Sequence, residues 1–229
     1  MSSERPQGRD IWAVVPVRSV ETGKSRLAPV VNDAARRYLN ATLLRHTVET
    51  VKSAFDADRV LVVSACDEVR QLALQLGVET LREHQPHGLN AALEQAAAEV
   101  ARRGAKGVLV LSSDLPLLCA SDLDLLLCAY QQKRQMVISA DHANSGTNAL
   151  LLAPVAAIPY TFGVGSFLAH LSHARKVHLP CKVVRSQGLA LDLDLPEDLA
   201  YWAELIRGAA RYDFSNRVLS ALRARNVRV

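Results

Sequence analysis

Short apolar runs alternate along this chain with stretches of helical spacing. The segments "IWAVVPV" (11–17), "RVLVVSA" (59–65), "GVLVLSS" (107–113) and "MVISA" (136–140) are nearly continuous and rich in β-branched residues. That is the pattern of strands buried on both faces of a parallel sheet. Between them, "DAARRYLNATLLRHTVETVKSA" (33–54), "EVRQLALQLG" (68–77), "GLNAALEQAAAEVARRG" (88–104) and "SDLDLLLCAYQQK" (121–133) repeat apolar positions every three or four residues, as amphipathic helices do. Gly77 and Gly104 supply helix stops, and Ser121 is the expected cap of the fourth helix. Such alternation predicts an α/β fold with a doubly wound, mostly parallel sheet and right-handed crossovers.

The rhythm changes after Ala140. "TNALLLAP" (147–154) and "LALDLDLP" (189–196) read as strands around a glycine-containing loop and one helix, "GSFLAHLSHARK" (165–176), and they add an antiparallel element. "PEDLAYWAELIRGA" (196–209) is a further helix with Pro196 beside its start. No internal repeat or linker interrupts this plan. Residues 1–10 are expected to be a disordered lead-in, 11–206 a single domain, and 207–229 a basic helical tail.

Composition narrows the class. The chain has 229 residues, 49% hydrophobic and 22% charged, enough for one domain with a substantial core. No run approaches the ~20 apolar residues that cross a bilayer, and "MSSERPQGRD" lacks the apolar region of a secretory signal. Four scattered cysteines without CxxC spacing point to reduced thiols and a cytoplasmic protein. Six arginines against Glu204 and Asp213 between Leu199 and Val229 account for the whole net charge of +4, which leaves the first 198 residues neutral. A neutral body with a basic tail is not built around a nucleic-acid groove. The tail arginines read as a solvated helix face, with a subunit contact in a homodimer as the second reading.

Candidate chemistry gathers at three places. Asp114 ends the run "VLVLSSDLPLL", where Pro116 stops the strand and leaves the carboxylate at the carboxyl end of a buried sheet, where open α/β sheets bind ligands. An equally simple reading makes "SDLP" a capped turn. In "GLALDLDLPEDL", strand spacing puts Asp192 and Asp194 on one face, with Leu191, Leu193 and Leu195 on the other. Paired carboxylates need a cation, and Mg²⁺, held by few carboxylates and completed by water and phosphate oxygens, suits them. The alternative is an acidic solvated edge.

On the anion side, Gly23, Lys24, Ser25 and Arg26 form a basic turn after the first strand, able to meet a polyphosphate. "TGKS" resembles the end of a P-loop, but Arg18 stands where that motif requires its first glycine. A P-loop NTPase or kinase using Lys24 and Asp114 is the second reading, and a non-catalytic module acting through the basic tail is the third. "FGVGSF" (162–167) lets Gly163 and Gly165 turn backbone N–H groups inward before Ser166 opens a helix, with Thr147 and Asn148 on the same rim. A plain tight turn fits this stretch as well. The pairs His84/His87 and His170/His173 lack the ligands that would complete a metal set, and exposed positions are expected for them.

Taken in order, "KSRLAP", "GLNAAL", "DLPLL", "GTNALLL", "FGVGSF" and "LDLDLPEDL" resemble the motifs of the 2-phospho-L-lactate guanylyltransferase family of coenzyme F-420 biosynthesis. The resemblance runs from about Trp12 to Leu199, and the ordered set is specific although each motif alone is weak. It implies a glycosyltransferase-A-like nucleotidyltransferase fold, GTP as co-substrate and Mg²⁺. The implied acceptor is a small phosphorylated carboxylic acid: 2-phospho-L-lactate, phosphoenolpyruvate or 3-phospho-D-glycerate. Carried over by position, Asp114, Asp192 and Asp194 would hold the metal, while Lys24 and Arg26 would hold the triphosphate. Ser25, Ser64, Gly88, Leu89 and Asn90 fall at the nucleotide, and Thr147, Asn148, Gly163, Gly165 and Ser166 at the acceptor. The departures are Ser112-Ser113 for Pro-Ala, Ser145 for Gly, Val164 for Pro and Leu195 for Thr. Two of them border the acceptor pocket and so bear on which acid is used.

Overall fold

The first apolar run becomes the centre of the sheet because both its faces can be covered. In the computed structural model, which describes residues 10–21, 23–84, 88–131, 133–207, 213–225 and 227, β1 (Ile11–Pro16) is buried along nearly its whole length. It pairs in parallel with β2 (Val60–Ser64) on one side and β4 (Gly107–Leu111) on the other. β3 (Glu79–Arg82) joins β2 in parallel at one edge. Beyond β4 comes β6 (Thr147–Ala153), antiparallel to both β4 and β5 (Gln135–Ala140), and β7 (Cys181–Val183) closes the far edge parallel to β5. The seven strands run in the order β3-β2-β1-β4-β6-β5-β7.

Two features of this order place the site. The chain steps outward from β1 to β2 and β3 and then returns through the helix at Leu89–Arg102 to β4 on the other side of β1. A crevice therefore opens at the carboxyl ends of β1 and β4. Because β6 runs against β4, its beginning lies at that same end: Leu111 faces Ala149, and Ser112 N–H donates to the Asn148 carbonyl at 2.9 Å.

The helices are α1 (Asp33–Lys52), α2 (Asp67–Gln75), α3 (Leu89–Arg102), α4 (Ala120–Ala129), α5 (Ser166–Lys176), α6 (Gln187–Ala190), α7 (Pro196–Leu205) and α8 (Asp213–Arg223). Asn32 caps α1, its side chain accepting from Ala35 N–H at 2.9 Å. Gly77 and Gly104 take the expected left-handed stops. The expected cap Ser121 lies inside α4 instead. Cys119 precedes that helix, and the Asp122 carboxylate reaches back to accept the Cys119 N–H at 2.8 Å, an acidic capping arrangement that outcompetes the hydroxyl.

The stretch 189–196 also departs from its expected strand. Ser186 caps the short α6 by accepting from Leu189 N–H at 3.1 Å. Gly188 packs so closely that a Cβ there would collide with the Asp122 carboxylate. Residues 191–194 then run extended but outside the sheet. Leu191 and Leu193 point inward as the alternation requires, whereas Leu195 is exposed at the start of α7. β3 and β7 have no apolar run to announce them, being short edge strands with half-buried and exposed side chains.

Three apolar clusters hold these layers together. One lies between the sheet and α1, α2 and α4, and the second under α3 and α5. The third joins α1 to α7 and α8 around the fully buried Trp202, with Leu117, Leu191, Leu193, Val218, Leu219 and Leu222. In this cluster Trp202 Nε1 donates to Ser215 Oγ at 3.2 Å, and Ser215 Oγ donates to the Pro116 carbonyl at 2.9 Å. The helical part of the expected tail is therefore packed on the domain and braces the segment that follows Asp114. Its described arginines, Arg217, Arg223 and Arg225, lie on the exposed face as expected. The expected lead-in, apart from Asp10, and tail residues 208–212, 226, 228 and 229 fall outside the described residues. Among the described residues no helix is long and apolar enough to cross a membrane, and all four cysteines are unpaired.

Because Leu222 is fully buried in the third cluster and Arg223 beside it is exposed, neighbouring substitutions should separate sharply. Leu222→Ala should cost about 2–4 kcal/mol in urea unfolding, and Arg223→Ala less than about 0.5 kcal/mol.

Candidate active site

Asp114 sits in the turn that follows β4, and its position is fixed from the other half of the chain. Leu193 N–H donates to the Asp114 carbonyl at 3.1 Å, so the extended 191–194 segment is docked directly on the strand end. Lys24 closes the same junction from a third direction. Its Nζ lies 3.1 Å from Asp114 Oδ1 and 2.5 Å from the Leu193 carbonyl oxygen. The Lys24 side chain is 2% exposed and that of Asp114 39%. A buried ammonium is tolerated only when paired and hydrogen-bonded, and here it has both partners.

The turn that delivers Lys24 is tightly constrained. Lys24 takes a left-handed φ of 56° ahead of a single 3₁₀ turn, Ser25–Leu27, an uncommon state for a residue with a side chain. A Cβ on Gly23 would stand 2.5 Å from the Ser19 carbonyl oxygen. Asn40 of α1 ties the turn down, donating to the carbonyls of Val20 at 2.8 Å and Gly23 at 3.2 Å. A P-loop lysine enters its helix directly, whereas α1 begins only at Asp33. That geometry and Arg18 together remove the P-loop reading.

Arg26 lies outside this junction, 64% exposed, with Nη1 2.8 Å from Asp194 Oδ2. Asp194 is held by Asp198, whose carboxylate accepts the N–H groups of Asp194 at 3.0 Å and Leu195 at 2.7 Å while capping α7. Asp192 points elsewhere: Asn148 Nδ2 reaches its Oδ1 at 3.4 Å and also donates to the Leu189 carbonyl at 3.0 Å. Burial raises the Asp192 carboxyl above its ordinary range, opposed by the Asn148 bond and reinforced by the charges of Asp198 and Asp141. The three aspartates thus converge on one end of the sheet with different partners. Among the described residues no three His, Cys, Asp or Glu side chains form a ready-made metal cluster. The donors that are present, hard carboxylate oxygens beside a basic turn, fit Mg²⁺, which takes one or two carboxylates and fills its octahedron with water and phosphate.

The opposite rim is built from neutral groups. Thr147 begins β6 and Ser166 begins α5, and their hydroxyl oxygens are 3.0 Å apart. Gly163 and Gly165 both have positive φ, 126° and 76°, turning the backbone into the helix. His170, one turn further along α5, is 0% exposed, contrary to the exposed position expected for it; His173 is half-buried and His84 exposed, and His87 lies outside the described residues. The His170 Nδ1 is 3.1 Å from Thr147 Oγ1, and its Nε2 accepts the Thr161 N–H at 3.1 Å. Burial, and secondarily His173, pushes its pKa down to about 4, so the ring is neutral at physiological pH.

Several expected nucleotide contacts already have partners within the chain. The Asn90 amide donates to the Phe162 carbonyl at 3.2 Å and accepts the Phe162 N–H at 2.7 Å, which joins the start of α3 to the glycine turn. Ser64 is buried at the end of β2, where its hydroxyl accepts the Cys66 N–H at 3.0 Å and donates to the Arg18 carbonyl at 3.5 Å. Gly88, with φ 97°, precedes α3, while Leu89 and Ser25 are exposed. Sequence reasoning did not single out Asn40 or Asp198, and it placed His170 only in an exposed pair with His173. The i, i+4 spacing of Ser166 and His170 on one helical face was the available signal for His170.

The chain matches a family model described as "Guanylyl transferase CofC like" over residues 11–218, further into the C-terminal helix than the motifs alone reach. It is 42% identical over 190 residues to a phosphoenolpyruvate guanylyltransferase of Rubrobacter xylanophilus, covering 83% of this chain and 92% of that one. It is 30% identical to a 2-phospho-L-lactate guanylyltransferase of Methanobrevibacter smithii, covering 83% and 82%. A crystal structure described as a nucleotide-diphospho-sugar transferase from Desulfovibrio desulfuricans superposes with a TM-score of 0.74 at 14% identity, over 94% of this chain and 97% of that one. At that identity the likeness is one of fold, and it agrees with the expected nucleotidyltransferase architecture.

The neutral, buried His170 makes stability depend on pH in a defined sense. The unfolded chain takes up a proton near 6.5, which the folded chain resists until about 4. Stability should therefore fall as pH drops through that window, by up to about 3 kcal/mol from this group. Chemical denaturation at pH 7 and pH 4.5 should show a smaller loss in His170→Phe than in the wild-type chain.

Proposed function

Since the chain belongs to the CofC-like guanylyl transferase family, we propose that it transfers GMP from GTP to the phosphate of a small phosphorylated carboxylic acid, releasing pyrophosphate. Phosphoenolpyruvate leads the candidate acceptors, because the 42%-identical relative carries that name; 2-phospho-L-lactate and 3-phospho-D-glycerate follow. A step in the biosynthesis of coenzyme F-420 is the setting that the sequence resemblance implies. The observation that carries the reading is the junction of Asp114, Lys24 and Leu193 at the strand crevice. A carboxylate and a basic turn brought together at that crevice support binding of a nucleoside triphosphate there.

The reaction asks little of acid–base groups. The acceptor phosphate is already ionised at neutral pH, so one of its oxygens attacks the α-phosphorus of GTP. The bond from that phosphorus to the bridging oxygen breaks, and pyrophosphate leaves with the electron pair. Rate enhancement then comes from alignment and from neutralising phosphate charge. Arg26, exposed and forked, can release Asp194 to grip the β- and γ-phosphates. Lys24 is too buried to roam. It fixes the Asp114 carboxylate and contributes a constant positive charge beneath the phosphates. Asp114, Asp192 and Asp194 are the oxygen donors that would hold Mg²⁺. Bound there, the ion would supply charge neutralisation and in-line geometry at the transferring phosphoryl group. Thr147, Ser166 and the Gly163–Gly165 turn present hydroxyl and N–H donors to the acceptor.

Purified chain incubated with GTP, Mg²⁺ and each acid in turn should release pyrophosphate only when both substrates are present, and poorly with ATP. Asp114→Asn should lower the rate by at least about 10³-fold. It should also lower the unfolding midpoint, since Lys24 loses its counter-charge, while the chain still unfolds cooperatively because the amide oxygen still accepts from Lys24. Near-normal transfer by that variant would refute the reading.

A further inference from the structure

Resting on the function just proposed, we propose that His170 is a positioning residue for acceptor binding: its ring locks the Thr147 and Ser166 hydroxyls and the Thr161–Gly165 turn into one rigid rim, without touching the acid. Three elements meet at this side chain. Its Nδ1 contacts β6 through Thr147 at 3.1 Å, and its Nε2 takes the backbone N–H of Thr161 at 3.1 Å. Its ring and that of Phe162 form a T-shaped pair with 5.0 Å between ring centroids. Phe162 is in turn clamped by both ends of the Asn90 amide, so the turn carrying Gly163 and Gly165 is held immediately upstream.

The hydrogen count gives the ring a directing role. A backbone N–H can only donate, so Nε2 must present its lone pair to Thr161. In a neutral ring the hydrogen then lies on Nδ1 and is donated to Thr147 Oγ1. Thr147 and Ser166 share one hydrogen bond at 3.0 Å, which consumes one of their two hydroxyl hydrogens. Ser166 is the donor in that bond, so the remaining hydrogen is that of Thr147, and it has no acceptor among the described residues. The pair lies just beneath the rim, Thr147 7% and Ser166 1% exposed, beside Asn148, whose amide reaches Asp192. A free hydroxyl hydrogen there is a ready donor to an anionic oxygen of the phospho-acid. Were the hydrogen on Nε2 instead, Thr147 would have to donate to Nδ1, and the Thr161 N–H would lose its partner.

A histidine that merely filled space would affect both substrates alike or neither, so kinetics separate the two roles. With GTP and phosphoenolpyruvate at pH 7.5, His170→Phe keeps the ring volume and the Phe162 contact but removes both hydrogen bonds. It should raise KM for the acid at least tenfold while leaving KM for GTP within twofold. His170→Asn, which keeps a donor toward Thr147, and His170→Gln, which keeps an acceptor toward Thr161, should each recover part of that loss. Histidine ¹⁵N spectra of the unliganded wild-type chain should place the ring hydrogen on Nδ1. An unchanged acid KM in His170→Phe, an equal rise in both KM values, or a hydrogen on Nε2 would each overturn the proposal. If His170→Phe does not fold, the Asn and Gln variants decide: wild-type acid KM in both overturns it, and a selective rise in either supports it. A wild-type chain that releases no pyrophosphate with any of the three acids overturns the parent reading and this one together. Wild-type activity with an unmoved variant overturns this one alone.

Discussion

A single buried ammonium holds the candidate site together. Lys24 bonds at once to the Asp114 carboxylate and the Leu193 carbonyl, two residues that are distant in the chain and reach the site from different halves of the fold. Burying a charged lysine is costly unless its hydrogens are matched by oxygens, and the matching oxygens exist only when the β4 end, the 191–194 segment and the Gly23–Lys24 turn are all in place. The charge therefore acts on the fold itself. It makes assembly of the three segments a joint condition, met together or not at all.

Each segment has its own support for meeting that condition. The lysine turn is pulled onto α1 by Asn40, and Gly23 leaves room for the approach. The strand end is braced from below by Ser215 on the Pro116 carbonyl. The acidic segment is seated by Leu191 and Leu193 in the third apolar cluster and terminated by the Asp198 cap of α7. A terminal helix that reads in sequence as an appendage is thus part of the scaffold of the site.

Much of this was legible beforehand. β1, β2, β4 and β5 announce themselves because strands covered on both faces must be apolar throughout, and the long helices because their inward stripes are unbroken. Asp114 was legible for a related reason: a carboxylate followed by proline cannot continue a buried strand. What the sequence did not show were pairings set by partners distant in the chain. Residues 187–190 turn into α6 because Gly188 fits against Asp122. His170 looks like a polar helix residue until Thr147 and the Thr161 backbone close around it. Asp192 and Asp194 alternate as expected, yet one turns to Asn148 and the other to Arg26, a divergence that no spacing rule contains.

The reversed direction of β6 brings two kinds of polar group to one crevice. On the side of β1 the groups are ionic, Lys24 and Arg26; on the side of β6 the rim named here consists of hydroxyls and backbone amides. Each cation on the β1 side is paired with a carboxylate, Lys24 with Asp114 and Arg26 with Asp194, so charge gathers there in matched pairs, whereas the hydroxyl pair on the β6 side is neutral. For the proposed reaction, strand polarity would thereby give the nucleotide an ionic berth and the acid a neutral one.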